Sequence, residues 1–291
     1  MTRGMSEHTR GLLLTLTAVF VLSPDALLVR LISADNATLL FWRGLLSGGT
    51  LYLLLFFIYR KRLFSMVREP GWLGLVAALN IMLGNIFFVM SLRMTLAANT
   101  LVILASIPLL AALGTRIFLG ETILRRTWIA ITVAFIGILT LFSGSIGQQS
   151  LLGDLLAFCA ACSWAGNLVI IRKLRPLNMI PVNAIGNLLV APFALLINAQ
   201  PFAVSADDFI LLLILGVLVL PIAYSLLTLA PRLLPAPEVS LTMLLETFLG
   251  PFWVWLIIHE SPTLATLAGG ILILGTLMIH TVIGMRKYRP A

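Results

Sequence analysis

Three carboxylates in this chain stand where carboxylates are expensive. Asp25, Glu238 and Glu246 each fall inside a long apolar run, and a charge at the centre of a bilayer costs about 2.5–3.5 kcal/mol. They are therefore expected to face the interior of a helix bundle, a cavity or a partner. Glu246 lies deepest, ten residues into its run, at a depth where proton uptake becomes feasible. A solute or proton role and a structural ion pair are both open to it. Asp25 is within reach of Arg30 or Arg43. Arg43 itself, about five residues into the second run, either snorkels to the headgroups or neutralises Asp25 or an anionic solute. Glu238 is close enough to a membrane surface to be hydrated.

Neutral polar side chains at mid-depth are the other cavity candidates: Asn85, Asn99, Asn167, Asn187 and Tyr224. Amide and phenol groups can fix a zwitterionic or polar solute without burying a charge. Equally, they can bond between helices for around 0.6 kcal/mol each. Trp164, three residues before Asn167, reads as a pocket wall or as packing. Glu121 and Glu260 fall at the ends of apolar runs, on opposite membrane faces, where a structural or gating role is expected. Pro108, Pro221 and Pro251 remove helix hydrogen bonds and can kink their helices, as hinges or as static shape. Trp253 and Trp255 fit an interfacial belt. Cys159 and Cys162 read as helix-buried small hydrophobes.

Soluble chemistry has no foothold. Two cysteines cannot close a structural metal site, and His8, His259 and His280 are scattered. No phosphate-cradling loop and no H-E-x-x-H motif occurs. No metal, cofactor or catalytic residue is expected, and uphill movement of anything would have to draw on an ion or solute gradient.

The elements that must hold these residues are long and apolar. The 291 residues are 60% hydrophobic and only 10% charged, against roughly 25% charged in a soluble domain, and the mean hydropathy is +1.08. A membrane helix needs about 20 apolar residues. Ten such segments are expected, near 11–32, 38–59, 71–90, 95–115, 128–143, 152–171, 180–198, 208–228, 236–257 and 264–284. The continuous runs exclude a β-barrel, whose strands would alternate over about ten residues. The net charge of +8 forms no nucleic-acid-binding face; it sits in small clusters between the runs. With ten spans and a cytoplasmic N-terminus, sixteen of the nineteen basic residues fall on the cytoplasmic side, all but Arg30, Arg43 and Arg93. That bias predicts that both termini are cytoplasmic.

Ten spans divide into two halves of five, and an odd number of spans turns the second half upside down. The segment beginning LGETILRRTWIAITVAF at Leu119 can be laid on IHESPTLATLAGGILIL at Ile258, which sets Glu121 against Glu260. At a slightly different offset Gly11 meets Gly153, Asp25 meets Asn167 and Arg30 meets Arg172. Two inverted halves can exchange conformations and open one site to each side in turn, which favours a carrier over a static membrane protein.

Three motifs carry a resemblance to a known family: AANTLVILASIPLLAALGTRIFLGE at Ala97–Glu121, LLGDLLAFCAACSWAGNLVIIRKL at Leu151–Leu174, and LLETFLGPFWVWLIIHESPT at Leu244–Thr263. In this order, and over essentially the whole chain, they resemble the EamA family of the drug/metabolite transporter superfamily. The resemblance implies an all-α polytopic membrane protein of the bacterial cytoplasmic membrane, with ten transmembrane helices in two inverted repeats, 11–143 and 152–284. It implies a cavity lined by the first, third, fourth, sixth, eighth and ninth spans, and export of a small polar metabolite such as an amino acid, with proton coupling open. The second half has Thr247 where the first has Pro108, so matching helix breaks are not expected with certainty. The rival readings are an accessory or structural membrane protein and a lipid-modifying membrane enzyme. The expected partners are the solute and membrane lipids, with no nucleic acid; the oligomeric state is left open.

Overall fold

The computed structural model describes residues 7–144, 150–229, 233 and 236–287. All regular structure among them is helical. The elements are α1 (Glu7–Leu22), α2 (Asp25–Leu31), α3 (Asn36–Tyr59), α4 (Arg62–Arg68), α5 (Gly71–Met94), α6 (Ala97–Leu104) and α7 (Ile107–Leu119). They continue with α8 (Arg125–Ser143), α9 (Ser150–Lys173), α10 (Ile180–Leu196), α11 (Ala206–Leu213), α12 (Leu220–Leu229), α13 (Ala236–Ile258) and α14 (Leu264–Lys287). A π-helical stretch, Ile214–Val219, joins α11 to α12.

Six segments are long and apolar enough to cross a membrane: Thr9–Leu31, Asn36–Tyr59, Gly71–Met94, Ala97–Leu119, Ser150–Lys173 and Ala206–Leu227. Four shorter apolar helices accompany them, Thr127–Ser143, Ile180–Leu196, Thr242–Ile258 and Leu264–His280. The chain is thus an all-α, multi-pass membrane protein. Its outside is greasy, with Phe57, Phe118, Leu196 and Leu264 turned outward, and the costliest polar side chains are inside, the arrangement lipid demands.

Local chemistry explains where helices start and break. Asp35 caps α3 by accepting from the Thr38 N–H at 3.0 Å, and Ser205 caps α11 through the Asp208 N–H at 3.1 Å. Gly120 closes α7 at φ +70°, a left-handed position that costs a side chain about 1–2 kcal/mol. The first apolar run breaks ahead of Pro24 and the fourth breaks at Ala105–Ser106, just before Pro108. By contrast α9 and α13 run unbroken, with Pro251 inside α13. The stretch of π-helix ends two residues before Pro221, which has no N–H to donate.

Helices approach closely where glycines allow it. A Cβ at Gly48 would stand 2.5 Å from the backbone nitrogen of Leu188, and one at Gly84 would stand 2.3 Å from Trp164 Nε1. These contacts lock α3 to α10 and α5 to α9. Small residues at such crossings gain packing that lipid cannot supply.

Candidate functional site

Charged and aromatic side chains from six separate helices meet in the middle of the bundle. Asp25 opens α2, two residues after α1 ends, and the break turns its carboxylate inward. Arg43, in the second turn of α3, meets it in a bidentate pair: Nη2 donates to Oδ2 at 2.8 Å and Nη1 donates to Oδ1. The side chains are 2% and 8% exposed for Arg43 and Asp25, so Arg43 is neutralised inside the bundle; the snorkelling alternative does not hold. Arg30, the other candidate partner, goes elsewhere. The Tyr224 hydroxyl of α12 hydrogen-bonds Arg43, and the Arg43 guanidinium lies 5.4 Å from the Phe88 ring of α5. Glu246 of α13 is half-buried, within electrostatic reach of Asp25 and Tyr224. Phe88 in turn packs on Trp164 of α9, ring centroids 5.6 Å apart.

A second polar layer adjoins this one. Asn85, one turn before Phe88 on α5, donates to Asn187 Oδ1 of α10 at 3.3 Å, and Asn187 donates to the Asn183 carbonyl at 2.9 Å. Both amides are buried, as is Asn167, one turn beyond Trp164. The carbonyl oxygens of Asn85, Asn167 and Asn183, together with Arg43 Nε, are buried with no hydrogen-bond partner among the described residues, as are Arg30 Nε and Arg93 Nε farther from the cluster. Buried polar atoms are ordinarily paired. The layer thus presents acceptors and one donor to something other than the protein.

Asn99 does not join this cluster. It lies at one end of the bundle, where its Nδ2 donates to Asp154 Oδ1 at 3.0 Å and to Thr95 Oγ1 at 3.1 Å. Thr266 donates to its Oδ1 at 2.5 Å. The same end carries Glu260, which pairs with Arg30 at 2.8 Å and accepts from the Ala97 N–H at 2.6 Å. Arg93 donates to the Ile32 carbonyl at 2.6 Å, and Asp208 accepts from the Ser33 backbone N–H and hydroxyl at 2.8 and 2.7 Å. This end is laced shut.

The other end is looser. Glu121 pairs with Arg172 at 2.5 Å, and that hydrogen bond holds the Glu121 carboxyl below its ordinary value. Thr127 bonds His280 at 2.9 Å. Pro108, Thr115, Glu121, Thr127, Leu168 and Arg172 line a cavity of about 300 Å³ there.

Two sequence expectations need correction. Cys159 and Cys162 are exposed on the outer surface of α9 rather than buried. Trp253 is drawn inward, its indole donating to Ser23 Oγ at 2.9 Å, and only Trp255 of that pair faces out. The side chain of Glu238 lies outside the described residues. Sequence reasoning also passed over Asp154, which is fully buried. Its signal was present: it is a carboxylate four residues into a helix of membrane-spanning length, in the Gly-Asp pair of the second motif. Among the described residues no group of three or more His, Cys, Asp or Glu side chains is placed to hold a metal.

No curated protein matches the chain. A solved structure titled only "Crystal structure of protein" superposes with a TM-score of 0.67 at 16% identity, covering 96% of this chain and 99% of the other; at that identity the likeness concerns the fold. The model of the EamA-like transporter family matches residues 9–143 and 151–282. With nearly every described helix inside those two stretches, the chain belongs to the EamA-like transporter family and is a membrane transporter, not an enzyme.

Proposed function

We propose that the protein is a secondary carrier that moves a small polar metabolite, such as an amino acid or a related compound, out of a bacterial cell by alternating access. Its frame is ten transmembrane helices in two inverted repeats, 11–143 and 152–284, in the cytoplasmic membrane with both termini cytoplasmic. The observation that carries the reading is the central cluster: Asp25, Arg43, Tyr224 and Glu246, drawn from both halves, beside the unpartnered amide oxygens of Asn85 and Asn167. Carboxylate and amide oxygens suit an ammonium group, Arg43 Nε suits a carboxylate, and Trp164 with Phe88 supplies an apolar wall.

Helix contacts support the repeat. Exchanging the halves turns the α5–α9 contact into α1–α12, α7–α9 into α1–α13, and α5–α10 into α3 with the π-helical stretch; α3–α10 and α8–α14 map onto themselves. Every one of these contacts is made. The family match falls in two stretches with the same division. The clustering of basic residues supports the orientation, and outward transport follows the family resemblance.

Exchange and counterflow in proteoliposomes, against labelled amino acids and small metabolites with and without a pH gradient, tests the reading. Counterflow of one compound is expected; none from folded protein would count against an amino-acid-like substrate. Glu246 is the proton site in this scheme, so E246Q should transport with no pH-gradient dependence. Coupling that survives in E246Q would sink that assignment.

A further inference from the structure

The ion pairs at the two ends of the bundle occupy equivalent places in the two halves. In the sequence register Arg30 corresponds to Arg172, and Glu121 corresponds to Glu260. The structure pairs them crosswise: Arg30 of the first half with Glu260 of the second, at 2.8 Å, and Arg172 of the second with Glu121 of the first, at 2.5 Å. Exchange of the halves carries each bridge onto the other.

Their surroundings are opposite. The Arg172–Glu121 side chains are 45% and 39% exposed and border the cavity of about 300 Å³. The Arg30–Glu260 side chains are 21% and 15% exposed and are further tied to backbone, Arg30 to the Thr95 carbonyl at 2.5 Å and Glu260 to the Ala97 N–H at 2.6 Å. Leu168 lines the cavity and is 44% exposed, whereas its counterpart Ala26 is 2% exposed; the matching threonines, Thr127 and Thr266, are both buried. One arginine–glutamate constellation is therefore hollow at one end and sealed at the other.

We propose that Arg30–Glu260 and Arg172–Glu121 are reciprocal latches of a single gate. The sealed end and the hollow end are two expressions of one conformational difference, and when the halves exchange conformations the Arg30–Glu260 seal opens as the cavity beside Arg172–Glu121 closes. The state described here is the one with the Glu121 end hollow. The bias follows from the physics of the two bridges: an exposed pair contributes little, whereas a half-buried pair with backbone partners holds its geometry. This inference rests on the alternating-access reading.

The test reads the gate without any solute. In a background with Cys159 and Cys162 replaced by Ala, a single cysteine at position 26 (A26C) or 168 (L168C) is labelled in proteoliposomes by a charged, membrane-impermeant maleimide. The L168C thiol should react quickly and the A26C thiol slowly. E260Q should raise the A26C rate about tenfold and lower the L168C rate by a similar factor, in the range of ordinary coupling between sites. Adding E121Q, at the far end of the molecule, should reverse much of that change, because the Arg172–Glu121 bridge, exposed in the state described here, is the one that the opened state would enclose and hold more firmly. The charge exchange R30E/E260R should restore both parent rates, which controls for misfolding. A faster A26C reaction with L168C unchanged, or an E260Q effect indifferent to E121Q, would mean local fraying and overturn the pairing. Either result leaves the counterflow assay to decide the carrier reading on its own.

Discussion

Neutralising Asp25 strands a guanidinium that has no route to water. Arg43 is 2% exposed and its partner 8%, and losing one member of such a pair costs about 3–5 kcal/mol. Asp25→Asn keeps the shape and sits at the low end of that range, because Tyr224 and the Phe88 face remain on Arg43. It also relieves the repulsion between Asp25 and Glu246. Arg43→Gln does the reverse: it leaves two carboxylates within electrostatic reach and no cation, and belongs near the upper end, about 5 kcal/mol. If a kilocalorie is worth about 2–4 °C in a chain of this order, then D25N melts about 6–12 °C and R43Q about 10–20 °C below the parent. The double variant has no charge to strand. It should recover about 3 kcal/mol of the summed loss, a coupling at the upper end for residues in direct contact. Thermal melts of purified protein in one detergent measure all four corners of the cycle, and counterflow on the same samples should be lost in all three variants. Additive losses, or D25N costlier than R43Q, would refute the account of a desolvated pair facing Glu246.

Two close helix crossings should respond differently to one added methyl. G84A pushes against the Trp164 ring, which can rotate, and should cost about 1–3 kcal/mol as overpacking does. G48A pushes against the backbone nitrogen of Leu188, which cannot swing away, and should melt below G84A; the opposite order would contradict the close-packed α3–α10 contact. At Asp35, burial alone would raise the carboxyl, but hydrogen bonds from Thr38 outweigh it and hold it below its ordinary 3.8. A lowered folded value means that the cap stabilises α3 above pH 3.8 and fades as pH falls through that lowered value. D35A should therefore lose about 0.5–1 kcal/mol at neutral pH, the small end for an exposed cap, and show no extra loss of its own when melts are repeated in acid.

The apolar runs made the helices legible, because lipid leaves the backbone few alternatives, and every expected run falls on helix. Depth was legible too: Asp25, Arg43 and Glu246 were singled out because their cost required a partner. Partner choice was not. Arg30 and Arg43 were equal candidates for Asp25 in the sequence, and only the break before Pro24, which turns Asp25 toward α3 and leaves Arg30 at the bundle end beside Glu260, separates them. Asn99 was read as a mid-depth residue because its run was taken as one helix from residue 95; its place in the first turn of α6 puts it instead against Asp154. Asp154 itself was overlooked because it sits near the start of its helix, where carboxylates are ordinarily hydrated, and only the packing of Thr95, Asn99 and Thr266 around it removes the water.

A buried ion pair is weak evidence of stability, since well-packed apolar residues of the same volume often do as well or better. In this protein that comparison is sharper, because the surroundings of the bundle are themselves apolar and leucines at positions 25, 43 and 246 would carry no desolvation cost. The cluster is therefore a liability that folding alone does not require. Its companions point the same way: the carbonyl oxygens of Asn85 and Asn167 are buried beside it without partners, and a structural network would have paired them. Charges held at a cost, next to hydrogen-bonding capacity left unused, are what a binding site looks like before its ligand arrives. At the two ends of the bundle each carboxylate is instead matched to an arginine, at 2.5–2.8 Å in the end bridges. Matched pairs of that kind suit gates, and the central cluster, with amide oxygens left open beside it, suits a solute.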